Sequence, residues 1–291
     1  MSLAGARVLV VGASAGIGRA LGVGAVEAGA EVVFAARRRD RLDAAVAEAG
    51  GGHAVVLDVC DEAGIRAAVD EVVGLLGGLD VVVQAAGVAR LERFTDVDAA
   101  QWREAMDTNV VGPALVTTAT LPHLPPGAVV VFCSSTTEEQ PRWGLAAYGA
   151  SKAALNRVVD AFRAERPDVR FVRAVIGSTI GTEFGDAFDG RLLEEAFARW
   201  IVGAQSTAKM MTTDDLAPVV LDVLCTLRAH PEVDIPRIDL EPTGGPLTVP
   251  PTPDVIATAF EALASEVTGK TQSGKTQSGR TQSGRTHGAG G

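Results

Sequence analysis
The stretch Arg7-Val8-Leu9-Val10-Val11-Gly12-Ala13-Ser14-Ala15-Gly16-Ile17-Gly18, followed by an Ala- and Val-rich run to about Ala28, decides the fold of this 291-residue chain. Residues 7–11 are almost continuously apolar and β-branched, as in a strand covered on both faces. The run after Gly18 has the apolar spacing of a helix. The glycines between them allow a sharp turn, a close approach of backbone N–H groups to an anion, and tight packing of helix on strand. The helix N-terminus adds partial positive charge at the same place. The turn therefore reads as a dinucleotide phosphate site, with Gly12, Ser14, Gly16, Ile17 and Gly18 as candidate cofactor contacts.

Working outward, short β-branched runs alternate with longer Ala-rich helical stretches as far as about Leu240. Strands are expected at Arg7 to Val11, Glu31 to Ala35, His53 to Leu57, Asp80 to Gln84, Gly127 to Cys133 and Val169 to Ile176, with a weaker seventh near Val233 to Leu240. Right-handed βα crossovers turn this pattern into an α/β fold: a doubly wound (Rossmann) parallel sheet of six to seven strands with helices on both faces. Its ligand crevice lies at the C-terminal edge of the strands. A single domain is expected over residues 1–266. The remainder, 267–291, repeats Thr-Gln-Ser-Gly-Lys/Arg without a large apolar side chain, and is expected to be a disordered tail.

The composition is 47% hydrophobic, ample for a sizeable core, and the net charge is -10. Lys270, Lys275, Arg280 and Arg285 lie in the tail, which leaves 22 basic against 36 acidic residues in the rest. Such a body lacks the basic face that nucleic acid requires. Cys60, Cys133 and Cys225 are widely spaced and odd in number, which suits a reducing compartment, and they show no metal-ligand pairing. The four histidines show none either, so no metal is expected. No stretch reaches the roughly 18 apolar residues of a membrane span, and the start lacks a signal-peptide pattern. The expected location is cytoplasmic.

At the end of the second strand, an acid would bind the adenine ribose hydroxyls of NAD. Ala36-Arg37-Arg38-Arg39 stands there instead. A guanidinium holds a 2′-phosphate, and basic residues at a helix start are otherwise unfavourable, so Arg37 points to NADP(H).

Ser135 follows the fifth strand, and Tyr148 and Lys152, at i and i+4, share one face of the next helix. Tyr148 is the only tyrosine in the chain. A lysine ammonium about 4 Å from a phenol, at an effective dielectric near 20, supplies about 4 kcal/mol. That is enough to bring a phenol from about 10 to near neutrality. The pair is thus expected to transfer protons, with Lys152 depressing Tyr148.

These motifs resemble the short-chain dehydrogenase/reductase family over about residues 5 to 245: Gly12, Gly16 and Gly18; Asp58; Gln84-Ala85-Ala86-Gly87; Asn109; Ser135; Tyr148 and Lys152. The resemblance implies that Tyr148 passes the proton, Lys152 lowers its pKa and binds the nicotinamide ribose, and Ser135 hydrogen-bonds the substrate oxygen. It implies that Asn109 holds a proton path, that Asp58, with Val59 beside it, contacts the adenine, and that Ala86 and Gly87 line the cofactor. Val11 and Gln84-Ala85 depart from the family's Thr and Asn-Asn, and Ile176-Gly177 from its Pro-Gly. Either Thr179 or Thr182 meets the carboxamide. A homodimer or homotetramer is also implied.

Residues 181–213 stand where the family places a substrate lid. Phe184, Phe188, Phe197, Trp200, Met210 and Met211 suit an apolar carbonyl or alcohol, although Leu192, Leu193, Phe197 and Trp200 at helical spacing read more simply as packing. Trp143 is a candidate pocket wall, and Glu138 and Glu139 read as solvated loop acids. Thr213-Asp214-Asp215 reads as a helix cap, with Pro218 pointing to a later helix start. The expected activity is hydride transfer between NADP(H) and a carbonyl/alcohol pair. A non-catalytic NADP-binding scaffold is the alternative, and a sugar-nucleotide epimerase is a more distant one.

Overall fold
The computed structural model describes residues 2–203, 205 and 209–244. The repeat tail and the expected domain end at 266 lie outside the described residues. The elements are β1 (Arg7–Val11), α1 (Gly16–Glu27), β2 (Glu31–Ala36), α2 (Arg39–Ala49), β3 (His53–Val56), α3 (Glu62–Leu76), β4 (Val81–Gln84), α4 (Ala99–Met106), α5 (Gly112–Thr120), β5 (Val129–Ser135), α6 (Ala146–Glu165), β6 (Arg170–Ile176), β7 (Thr179–Ile180), α7 (Gly190–Val202), β8 (Met211–Thr212), α8 (Thr213–Ala229) and β9 (Arg237–Leu240).

Seven strands form one sheet in the order β3-β2-β1-β4-β5-β6-β9, every pair parallel. Because successive side chains of a strand face opposite ways, the sheet has two cores. Val8, Val10, Val32 and Phe34 pack with Leu21 and Ala25 of α1 and with Leu216, Val220 and Leu224 of α8. Leu9, Val11, Val33 and Val82 face the other way, toward Ile65, Val69 and Val72 of α3, Val116 of α5, and Leu155 and Val159 of α6. Phe34, Phe132 and Phe171 are fully buried, each worth about 1.5–3 kcal/mol relative to exposure. This two-sided covering is why the strands read as continuous apolar runs.

The chain order reverses between β1 and β4: β1 leads outward to β2 and β3, β4 to β5 and β6. A crevice therefore opens above these two strand ends. Gly12, with φ +87°, lies so close to the loop after β4 that an added Cβ would sit 2.5 Å from the Ala86 nitrogen. At Gly18 an added Cβ would sit 2.4 Å from the Gly12 carbonyl oxygen. Both glycines hold the two loops at one point.

Two elements differ from expectation. β9 begins at Arg237, after the Pro236 that cannot donate to the ladder. The helix α8 begins at Thr213 and carries Pro218 inside it, rather than starting later. Thr212 and Asp215 close a capping box at its start, and Leu216, Ala217 and Val220 are buried around the proline, so cap and packing outweigh the missing N–H.

Candidate active site
The phosphate turn has unused donors. The residue before α1 is Ala15, which offers no side-chain cap, so the first N–H groups of the helix point into the crevice end without a side-chain acceptor. Together with the absence of room for a Cβ at Gly12 and Gly18, this cradle fits a pyrophosphate. Ser14 is buried beside it and accepts a hydrogen bond from Arg38 Nη2 at 3.0 Å. The guanidinium aimed at the turn is thus that of Arg38. Arg37, expected there, and Arg38 are both exposed, and it is Arg38, not singled out in the sequence, whose guanidinium reaches Ser14. Three consecutive arginines offer no signal for which one reaches the turn.

Arg38 is not free. Glu183, from the lid segment, accepts from Arg38 Nη2 at 2.6 Å and from Arg41 Nη1 at 3.1 Å, and the paired guanidinium holds the Glu183 carboxyl below its usual range. Thr182 lies next to it, 3.3 Å from where a Gly16 Cβ would be. Phe184 packs edge-on against Tyr148, with ring centroids 5.0 Å apart. Three successive lid residues therefore touch the turn, the arginine and the tyrosine. Thr179, in contrast, donates to the Gly177 carbonyl at 3.1 Å and pairs β7 with β8.

At the other end of the crevice, β5 delivers Ser135 and the first turns of α6 deliver Tyr148 and Lys152. Ser135 is buried and accepts from Thr137 Oγ1 at 3.1 Å. Lys152 is buried, donates to the Cys133 carbonyl at 2.8 Å, and holds its ammonium 5.7 Å from the centre of the Tyr148 ring. Burial pushes Lys152 down to about 8 and Cys133 up to about 11.

Here the expectation for the phenol is corrected. Burial pushes Tyr148 up to about 12, opposed by the Ser135 hydroxyl beside it and by the charge of Arg142. The lysine donates to the Cys133 carbonyl, and desolvation is the largest influence on the half-buried phenol.

Asn109 is completely buried in a π-helical turn, residues 107–111, between α4 and α5. Such bulges commonly mark functional positions. Its side chain accepts from the Val88 N–H at 2.8 Å and donates to the Val88 carbonyl and the Ser151 hydroxyl, both at 2.9 Å. It ties the loop after β4 to α6 one residue before Lys152. Gly87 leaves the gap: a Cβ there would lie 3.3 Å from Asn109 Oδ1 and 3.7 Å from Lys152 Nζ. After β3, Asp58 caps its own turn by accepting from the Cys60 N–H at 3.0 Å, and Val59 is buried against Gly112. Gln84 donates to Thr117 Oγ1 at 3.2 Å, but its Oε1 is buried without a partner.

Glu138, expected to be solvated, is buried instead, its side chain only 2% exposed. Ser134 Oγ and Asn156 Nδ2 donate to it, and Arg237 stands 3.4 Å away. It braces the strand end that carries Ser135. Glu139 remains exposed and pairs with Arg237. Leu192, Leu193, Phe188, Phe197 and Trp200 pack with Leu91, Leu145, Trp143 and Tyr148 in one cluster, so packing is what most of these lid residues do.

Against known proteins, residues 6–187 match the short chain dehydrogenase family. The chain belongs to that family. Its members are oxidoreductases, and this chain has their fold. It is 36% identical over 164 residues to gluconate 5-dehydrogenase from Gluconobacter oxydans, a match covering 54% of this chain and 64% of the relative. It is 36% identical over 153 residues to sulfoacetaldehyde reductase 2 from Chromohalobacter salexigens, covering 50% of this chain and 61% of the relative. Among solved structures, a short chain dehydrogenase from Burkholderia cenocepacia in complex with NADP superposes with a TM-score of 0.71 at 26% identity, over 83% of this chain and 98% of the other. Among the described residues, no helix is long and apolar enough to cross a membrane.

Proposed function
We propose that this short-chain dehydrogenase interconverts a carbonyl and an alcohol using NADP(H), with Tyr148 as the proton-transferring residue. The observation that carries this reading is the meeting of Ser135, Tyr148 and Lys152 at the strand edge that also bears the glycine turn. NADP(H), when bound, supplies or accepts the hydride. Gly12, Gly16, Ile17 and Gly18 receive its pyrophosphate. Ser14 and Arg38, with Arg37 at the rim, receive the 2′-phosphate, which must displace the Glu183 carboxylate. Asp58 and Val59 flank the adenine, and Ala86 and Gly87 leave room for the ribose that Lys152 binds. Thr182, placed against Gly16, meets the carboxamide, while Thr179 is engaged with Gly177. The NADP-bound relative supports the cofactor choice.

A phenol near 12 stays protonated at neutral pH, so Tyr148 is poised to give a proton to a carbonyl oxygen while the Ser135 hydroxyl hydrogen-bonds the same atom. In reduction Tyr148 thus enters the step as the acid. Asn109, by fixing Val88 and Ser151, keeps Lys152 in place to return a proton. A cytoplasmic location and a homodimer or homotetramer complete the proposal.

Steady-state oxidation of NADPH with a panel of ketones, aldehydes and quinones tests the reading. Tyr148→Phe is expected to lower kcat by about 10²–10⁴-fold. Full activity in that variant overturns the assignment of Tyr148.

A further inference from the structure
The loop from β5 to α6 carries a charge that the chemistry above leaves unused. Arg142 lies six residues before Tyr148 in the sequence and stands between Ser178, in the link from β6 to β7, and Trp200 of the lid helix α7. A guanidinium has five N–H donors. Arg142 uses one of them, Nη1, on the Ser178 hydroxyl at 3.3 Å, and rests its guanidinium 5.8 Å from the centre of the Trp200 ring. Among the described residues, no carboxylate oxygen lies within 4.0 Å of it. Every other arginine engaged around the crevice, Arg38, Arg41 and Arg237, has its acid.

The charges that face Arg142 are few. Glu241, just past β9, is the acid whose field reaches it, and Tyr148 is the other titratable group. A formed ion pair would raise the arginine and lower the acid. The reverse holds: burial lowers Arg142 from its ordinary 12.5 and raises Glu241 from its ordinary 4.5. Arg142 is half-buried and Glu241 is exposed, and the two are not paired. The spare donors of Arg142 are not among the buried unpartnered atoms, so they stay accessible, and a half-buried guanidinium with open donors favours an anion as partner.

Resting on the assignment of Tyr148 as proton donor, we propose that Arg142 binds an oxyanion on the substrate, which is therefore a carbonyl compound bearing a carboxylate or a similar planar anion. The guanidinium fork matches a carboxylate with two parallel hydrogen bonds. Trp200 beneath it and Ser178 beside it hold the fork, and the tyrosine and serine hydroxyls receive the carbonyl at the other end. Trp200 also donates Nε1–H to the Trp143 carbonyl at 2.9 Å, so lid helix and arginine loop are joined where the anion sits. The apolar cluster around Tyr148 then packs the lid, and substrate selection falls to the arginine.

The experiment is a binding titration of the full chain with saturating NADP+, read by tryptophan fluorescence, since Trp200 and Trp143 border the site. Probes are straight-chain oxo acids and their methyl esters. The wild type is expected to bind the acids at least about tenfold more tightly than the esters. Arg142→Met is expected to lose that preference, Arg142→Lys to keep part of it, and Glu241→Gln to tighten acid binding by removing a like charge whose field reaches the site. Equal binding of acid and ester to the wild type, or a preference that survives Arg142→Met, overturns the proposal. Because the readout is binding, it stands apart from turnover. If the acids bind preferentially and NADPH does not reduce them, the proposed reaction fails while the anion site holds.

Discussion

The surroundings of Tyr148 and Lys152 shift the two groups opposite to the way that their spacing suggests. Desolvation pushes the half-buried phenol up to about 12 and the buried ammonium down to about 8, and the ammonium donates to the Cys133 carbonyl. The first group to change charge on raising pH is then the lysine. The kcat/KM of carbonyl reduction is expected to fall above about pH 8, and Tyr148 to contribute no limb below about 12, as read from a pH profile. The same burial has a stability consequence. A lysine with a lowered folded pKa binds fewer protons folded than unfolded between 8 and its ordinary 10.5, so its cost is full below 8 and is relieved as pH rises through that window. Lys152→Met is expected to raise Tm at pH 7 by about 2–4 °C per kcal/mol recovered, with the gain shrinking at pH 10 and activity lost. Calorimetry at the two pH values checks it, and a variant less stable than wild type at pH 7 contradicts the burial cost.

The element that couples cofactor and substrate ends is the lid segment of Thr182, Glu183 and Phe184. Glu183 on Arg38 and Arg41 is an exposed ion pair, worth about 0.2–1 kcal/mol. A 2′-phosphate that displaces it loses that much affinity. Glu183→Gln is expected to tighten NADPH binding by about two- to fivefold and leave NADH binding unchanged, by fluorescence titration. Arg38→Ala is expected to weaken NADPH by about 10–100-fold with little effect on NADH, and to exceed the effect of Arg37→Ala. Equal losses from both arginines contradict the role given to Arg38. These pairings were not legible in the linear chain: Glu183 lies 145 residues from Arg38, and nothing in a loop acid's sequence context says that it meets a particular arginine.

Across the whole molecule, stability is pinned at the N-terminal edge of the sheet, opposite the crevice. Arg7 of β1 donates its N–H and Nε–H to Asp80 Oδ2 at 2.9 and 3.0 Å and its Nη2–H to Oδ1 at 2.8 Å, joining the strand to the start of β4. That fork holds the Asp80 carboxyl below its usual range. A depressed carboxyl adds stability that is present above its unfolded value, near 3.8, and lost as pH falls through the folded one. Asp80→Asn is expected to cost about 1.5–3 kcal/mol at pH 7, with the difference from wild type vanishing under acid. Urea unfolding at the two pH values measures it, and a difference that persists in acid contradicts the ion-pair account.

The parallel sheet, its strand limits within a few residues, and the glycine turn were all determined by sequence alone, because periodicity and glycine placement are local and the covering helices only reinforce them. So was the family, whose motif residues Asn109, Ser135, Tyr148 and Lys152 the fold gathers along one crevice. What only the tertiary structure decided is electrostatic. Which of three adjacent arginines reaches Ser14, that Glu138 is buried, that Arg142 is left without an acid, and that the phenol is raised rather than lowered all depend on which distant groups meet a charge or exclude water from it. Desolvation and Coulomb attraction are of similar size and opposite sign, and only the folded arrangement says which prevails.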